Sequence, residues 1–324
     1  MLLTRAEAIR QFDQLGQSRT PFFFLTDFKG ERAHIVAADD SDGILFDIRG
    51  KRNYDLSVIR LPDKEFYLAK QPESKASFEK KFDYVVEEIR YGNSFLVNLT
   101  VRTPIRASYS IRDIFAVSRA KYKALVPGFF TFFSPETFIE IRDNCIYSHP
   151  MKGTIDASLP DAEQTILGDP KETSEHVTIV DLIRNDLSQV AQKVDVTRFR
   201  YIDRIVTHEK ELLQVSSEIR GQLEPGWQDH LGQLLFSLLP AGSISGAPKD
   251  QTVRIIETAE GYKRDFYTGI CGYFDGESLD TGVMIRFIEE QDNKLVFKSG
   301  GGITSFSKLD LEYQEVIDKI YVPL

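Results

Sequence analysis

The feature that most restricts the fold of this 324-residue chain is a set of short apolar or alternating segments at each end, separated by turn residues. Near the N-terminus, residues 21–26, 33–38 and 44–48 are set apart by Lys29-Gly30, by residues 39–43 and by Gly50. Near the C-terminus, residues 267–274, 279–288 and 295–299 are joined at Asp275-Gly276 and at residues 291–293. In the middle, residues 137–142 and 145–149 flank Asp143-Asn144. Connections this short cannot carry a parallel crossover, so the reading is antiparallel strands, including an N-terminal β-meander over residues 1–76.

Helical periodicity fills the rest. Phe78, Phe82, Val85 and Ile89 fall on one face of a helix expected over 78–91, and a second helix is expected over 111–125. Asp169 as N-cap, Pro170 at the first helical position and Glu172 three residues after the cap mark a helix to about residue 187. Further strands are read at 94–100, 195–206 and 212–219, and further helices at 229–239 and up to residue 260. A final helix is expected from Ser307, with Asp310 at capping-box spacing.

Composition narrows the function. Acidic residues exceed basic ones by 49 to 40, and the net charge of −9 is spread without a basic block, which disfavours nucleic acid and anionic membrane as partners. Two cysteines, Cys145 and Cys271, provide neither a disulfide framework nor a zinc site, and the N-terminus has no signal peptide or membrane span. A cytoplasmic protein is expected.

Several polar residues stand where a site could form. Lys152 follows a strand and lies between Pro150 and Gly153, on a backbone with little freedom. Glu172 and Glu175 share one helix face, and Glu312, Glu315 and Lys319 share another. Taken alone, the first pair is a capping box plus a solvated acid, and the second is an exposed face with an ion pair. Together, four glutamates without clustered His or Cys suit Mg²⁺ better than zinc. The small-residue loop 239–249 enters a helix as an anion-binding loop would, but its glycine spacing fails the nucleotide-binding pattern G-x-x-x-x-G-K-[ST]. Gly300-Gly301-Gly302 admits either a ligand against bare backbone or a flexible turn. With Arg286 and Lys319 nearby in type, the set fits a small polyanion, phosphate and carboxylate equally.

From about Ser94 onward the chain resembles the chorismate-utilising enzymes. The resemblance rests on Lys-Glu-Thr-Ser-Glu-His (171–176), Val-Asp-Leu-Ile-Arg-Asn-Asp-Leu (180–187) and Ser-Gly-Ala-Pro-Lys (245–249). Ile285-Arg286, Gly-Gly-Gly-Ile (300–303) and Glu-Tyr-Gln-Glu-Val-Ile-Asp-Lys (312–319) complete it. It implies a single α+β domain over residues 1–324, with two antiparallel β-sheets packed face to face and helices outside. Residues 1–76 match less well.

Pro150-Met-Lys-Gly-Thr154, Ser134-Pro-Glu136 and Ser243 in Gly242-Ser-Ile-Ser-Gly resemble the branch represented by aminodeoxychorismate synthase component I. Leu96 departs from it, standing where that branch has Gln and isochorismate synthases have a water-activating Lys. The resemblance implies Mg²⁺ on Glu175 and Glu315 with Glu172 and Glu312 near it. Arg286, Lys319, Gly301 and Gly302 would hold the carboxylates of chorismate, with Gly242, Ser243, Thr154, Tyr267 and His208 also around the substrate. Lys152, its amine kept neutral by metal and cationic neighbours, would be the nucleophile and Glu136 the acid. Ammonia would come from solution or from a separate glutamine amidotransferase subunit. The product, 4-amino-4-deoxychorismate, leads to 4-aminobenzoate and folate. An ammonia-using anthranilate synthase component is the alternative in the same class, and a non-catalytic chorismate-binding or amidotransferase-partner subunit the alternative outside it.

Overall fold

The computed structural model describes residues 2–38, 43–55, 63–206, 211–292 and 294–324. Its organisation follows from strands that are apolar on both faces. In Phe22–Thr26 every residue is buried, because Phe23 stacks on Phe46 at 4.2 Å on one side while Phe24 meets Phe12 of the helix Arg5–Gln17 at 4.8 Å on the other. Such a strand belongs between a second sheet and a helical layer.

Among the described residues, ten strands form the first sheet and nine the second, and the strands pair antiparallel throughout. The first runs Leu2–Thr4, Arg32–Ala37, Phe22–Thr26, Ile270–Phe274, Leu279–Val283, Thr137–Arg142, Cys145–Ser148, Glu211–Gln222 and Met151–Asp156, with Gln192–Val206 also on Glu211–Gln222. The second runs Gly246–Ala247, Leu96–Ala107, Lys294–Ile303, Phe287–Gln291, Phe130–Ser134, Tyr122–Val126, Leu45–Ile48 and Lys51–Arg52, with Leu68–Lys70 also on Leu96–Ala107. Phe23, Leu25, Phe46, Tyr122, Phe132 and Cys271 belong to one apolar layer shared by the two sheets. Helices Arg5–Gln17, Lys75–Arg90 and Lys249–Glu260 cover the structure from outside through a second cluster. This is the expected α+β arrangement of two antiparallel sheets with helices.

Two tight corners carry the chain from one sheet to the other. Ser134-Pro135-Glu136 joins Phe130–Ser134 of the second sheet to Thr137–Arg142 of the first. Met284-Ile285-Arg286 joins Leu279–Val283 of the first to Phe287–Gln291 of the second. The corners touch, for the Phe133 N–H donates to the Arg286 carbonyl at 3.2 Å and the Val283 N–H to the Glu136 carbonyl at 3.1 Å.

Several expectations are corrected. The helix expected over 111–125 ends at Val117, and residues 122–126 are instead a strand buried throughout, held between Phe130–Ser134 and Leu45–Ile48. Even its one charged residue, Lys123, is buried, its amine donating to the Phe115 and Ser118 carbonyls, which leaves no polar face of the kind a surface helix needs. The N-terminal meander is not continuous, because Leu45–Ile48 crosses to the second sheet. The strand read over 279–288 is broken by the Arg286 corner. Gly300 to Gly302 are not a turn but lie within Lys294–Ile303, paired with Thr100, Leu99 and Asn98. The last helix is capped by Lys308, not Ser307, and spans Leu309–Asp318. No helix among the described residues is long and apolar enough to cross a membrane.

The inter-strand packing leaves no room at Gly272, where an added Cβ would sit 2.6 Å from Phe24 Cζ and 2.7 Å from Thr281 Cγ2. Gly272→Ala is expected to lower unfolding free energy by about 1–3 kcal/mol through overpacking. Urea unfolding checks this, and an unchanged midpoint would contradict the packing described.

Candidate active site

A cavity of about 530 Å³ opens where the two sheet-switching corners meet helices Pro170–Leu187 and Leu309–Asp318 and the helical turn Gly242–Ser245. Lys152 reaches it through a break in pairing. Met151 pairs with Ser216 but Thr154 with Gln214, so the strand carries one extra residue there, and Gly153 takes φ +81°. A bulge of this kind bends a strand and redirects a side chain. The Pro150 carbonyl, accepting from the Ser217 N–H at 3.0 Å, anchors the strand just before it.

The Lys152 amine contacts Glu175 at 2.7 Å. It also lies against bare backbone, for a Cβ at Gly302 would be 3.2 Å from Lys152 Nζ and 3.2 Å from Leu96 Cδ1. Burial opposes the charge on this amine, yet Glu175, Glu315 and Glu172 outweigh it and raise its pKa. The expectation of a neutral amine is therefore not met by these residues alone.

The glutamates come from two helices. Asp169 accepts the Glu172 N–H at 3.0 Å as the N-cap, and the helix that follows turns Glu172 and the buried Glu175 into the cavity. A Cβ at Gly153 would sit 3.1 Å from Glu172 Oε2. On the last helix Glu312 is buried, while Glu315 is half exposed and pairs with Lys319 at 2.5 Å. Lys319 also donates to the Gly300 carbonyl at 2.9 Å. Gly301 lies close beneath the carboxylates, since a Cβ there would lie 3.3 Å from Glu315 Oε1 and 3.6 Å from Glu312 Oε2.

The opposite wall is made by the corners. Glu136 accepts from Ser243 Oγ at 2.9 Å. Burial raises its pKa against the pull of Ser243, Lys319, Arg286 and Lys152, and so favours the protonated acid. Arg286, at φ +54°, lines the cavity with its Nε buried and without a hydrogen-bond partner among the described residues. A buried guanidinium nitrogen in that state calls for an anionic ligand. Tyr267 lines the cavity from the apolar layer between the sheets, Gly242 and Ser243 from the helical turn, and the exposed Thr154 from beyond the bulge.

Of the residues expected from sequence, His208 lies outside the described residues. Gly301 is placed beside Glu312 and Glu315, and the remainder line the one cavity. His149 also lines it, 3.9 Å from Glu140. Asn98, Gln214 and Asp186 were not anticipated in the wall. Asp186 had a signal in its motif partner Lys249, which contacts Asp186 Oδ2 at 2.8 Å and the Leu238 carbonyl at 3.0 Å and so secures the 239–249 loop.

The donor set suits a hard cation. Glu172, Glu175, Glu312 and Glu315 supply only oxygen, and among the described residues the cavity lining holds no cysteine and a single histidine, His149. Among the described residues no three such side chains form a ready cage. That accords with Mg²⁺, which is usually held by one or two carboxylates together with water and substrate oxygens.

Residues 60–324 match the family model of chorismate binding enzymes, and the chain belongs to that family. An uncharacterized PabA-like protein of Pasteurella multocida (strain Pm70) is 52% identical over 98% of both chains. Aminodeoxychorismate synthase component 1 of Escherichia coli (strain K12) is 30% identical over 85% of this chain, which spans 63% of that protein. Anthranilate synthase component 1 of Pseudomonas putida is 29% identical over 98% of this chain and 66% of its own length. The fold is that of MenF, the menaquinone-specific isochorismate synthase from Escherichia coli, at TM-score 0.75 and 17% identity over 98% of this chain and 82% of that one.

If bare backbone at Gly302 is what admits the Lys152 amine, Gly302→Ala should reduce turnover of chorismate by at least about tenfold while thermal stability changes little. Full turnover with the added methyl would show that the amine does not work from this position.

Proposed function

We propose that the chain acts as an aminodeoxychorismate synthase component I, replacing the 4-hydroxyl of chorismate with ammonia through a covalent bond to Lys152, with Mg²⁺ as cofactor. The observation that carries this is an amine aimed into the cavity by a bulge, together with a wall carboxyl, Glu136, whose pKa burial raises. Overall identity does not separate the aminating branches, and the reading rests on Lys152, Glu136 and Ser243.

Arg286, Lys319 and the backbone at Gly301 and Gly302 hold the two carboxylates of chorismate, and Tyr267 and Thr154 border the ring. Glu175 and Glu315, with Glu172 and Glu312, are the residues that would hold Mg²⁺, which would supply positive charge for the ring carboxylate and offset the glutamates around Lys152. The neutral Lys152 amine forms a bond to ring C2, the double bonds shift, and the C4–oxygen bond breaks. Glu136 gives its proton to the departing hydroxyl, which leaves as water. Ammonia then bonds to C4, the double bonds shift back, and the C2–nitrogen bond breaks. The surplus ammonia proton returns to Glu136, while the Lys152 nitrogen, a secondary ammonium in the adduct, leaves C2 as the neutral amine. The sum is chorismate plus ammonia giving 4-amino-4-deoxychorismate plus water.

Both cysteines are buried, and burial pushes the Cys271 thiol far up, so neither offers the exposed thiolate a glutaminase needs. Ammonia therefore comes from solution or from a separate amidotransferase subunit, in the cytoplasm, for the route to 4-aminobenzoate and folate.

Incubation with chorismate, Mg²⁺ and ammonium, read by mass and absorbance, tests the reaction; a fluorescent anthranilate product would replace this reading with the other branch. With ammonium withheld, denatured protein should carry the mass of one chorismate less one water. Lys152→Ala should lose both adduct and amination, and full amination by that variant excludes the covalent route.

The acid must hold its proton to give it, so amination should fall as pH rises through the raised Glu136 ionisation. Ser243 donates to the ionised form and lowers that pKa. Ser243→Ala should accordingly move the basic limb of the pH–rate profile upward, whereas Glu136→Gln should slow the reaction by about 10²–10⁴-fold and remove the limb. A limb that stays in place in Glu136→Gln would assign it to another group.

A further inference from the structure

The wall that carries Ser243 and Tyr267 is held by a buried ion pair that takes no part in the reaction above. Arg264 and Glu260 are 2% and 1% exposed at the side chain and meet at 2.6 Å. Breaking such a pair leaves an uncompensated charge, so its arrangement is strongly determined. Each donor of the guanidinium has a separate destination. Nε donates to Glu260 Oε2 at 3.0 Å and one terminal nitrogen to Glu260 Oε1 at 2.6 Å, which fixes the plane of the group. The same terminal nitrogen reaches the Asn98 carbonyl at 2.6 Å, and the other reaches the Ile244 carbonyl at 2.9 Å and Thr268 Oγ1 at 3.3 Å.

Those three acceptors lie in three pieces of the cavity wall. Ile244 follows Ser243 in the helical turn, Asn98 is two residues from Leu96, and Thr268 follows Tyr267. Thr268 sits at φ +60°, a strained position for a β-branched residue that persists only when its surroundings impose it. Here its hydroxyl is held between Arg264 and the Tyr267 carbonyl, to which it donates at 2.6 Å. Glu260 adds a further tie, accepting from the Thr100 N–H and hydroxyl at 2.8 Å each.

We propose that Arg264, locked by Glu260, is a positioning residue that sets the Ser243 turn and the Tyr267–Thr268 wall against the Asn98 strand, and so places Ser243 on Glu136. This rests on the reading of Glu136 as the acid. A planar fork with five donors can hold three walls at once, and a lysine at the same place keeps the charge but not the geometry.

The test is a double-mutant cycle of Arg264→Lys with Ser243→Ala, measured as kcat and KM for chorismate on protein of known folded fraction. Arg264→Lys is expected to lower kcat by about ten- to a hundredfold with KM held within about threefold. Ser243→Ala alone should lower kcat by a comparable factor, and adding it to Arg264→Lys should slow the enzyme by less than about a further twofold. Single effects that multiply, a KM that rises as much as kcat falls, or a loss confined to melting temperature would each overturn the proposal. Should Arg264→Lys not fold, Glu260→Gln, which keeps an acceptor for Thr100, is put through the same cycle with the same criteria. Wild-type amination is scored separately, so its absence counts against the reaction. In that event the cycle is read on the Glu136 ionisation by infrared difference spectroscopy, where Arg264→Lys and Ser243→Ala should each raise it and the pair raise it no further; an ionisation that Arg264→Lys leaves in place overturns the clamp.

Discussion

Glutamates from two helices far apart in sequence face one cavity, and the structure around them is arranged to make that tolerable. Carboxylates gathered in a partly buried space repel one another and lose hydration. Lys152 against Glu175 at 2.7 Å and Lys319 against Glu315 at 2.5 Å offset much of that. Neither lysine arrives by regular geometry. Lys152 needs a bulge and a glycine in the left-handed region, and Lys319 needs the last turn of the final helix laid over the Gly300 carbonyl. The glycines follow from the same constraint, because a methyl at Gly301 or Gly302 would enter space taken by the carboxylates or the amine.

The two sheets supply the opposite wall by the way they exchange strands. A strand leaving one sheet for the other must turn within a few residues, and the turn exposes groups that regular pairing would hide. Glu136 and Arg286 occupy the two such turns at the cavity, and main-chain hydrogen bonds between the corners fix one against the other. Acid and anion-binding group are thus products of the topology as much as of residue choice.

That division explains what could be read from the chain. Local chemistry was legible: Asp143-Asn144 forms the tight hairpin with both residues at positive φ, and Asp169-Pro170 opens the helix it signals. The glutamate pairs were legible because helical spacing fixes a shared face. Long-range facts were not. An apolar strand such as Tyr122–Val126 has the same residue types as a buried helix, and only its neighbours on both sides decide it. The sheet exchange at Arg286 is marked by a single charged residue within an apolar run and by no turn residue, and a triple glycine looks like a turn until pairing with Leu96–Ala107 holds it extended. Arg264 was silent for a related reason: its partner Glu260 is an ordinary i, i+4 neighbour, and only the fold reveals that its other donors meet three separate walls.

The charge on Lys152 ties these observations to chemistry. Without a cation the surrounding carboxylates hold the amine protonated, and a protonated amine has no lone pair to give. A cation drawn to the same carboxylates removes the field that keeps the proton on. In the proposed reaction the amine and a metal would compete for one set of charges, and the amine would become reactive only as the glutamates turned to that second partner. Leu96 fits this economy of polar groups: it is buried beside the amine, presents only hydrocarbon, and can neither deprotonate a water nor share the carboxylates. In the proposed reaction the attacking electron pair is that of Lys152, and its availability is set by what the glutamates hold.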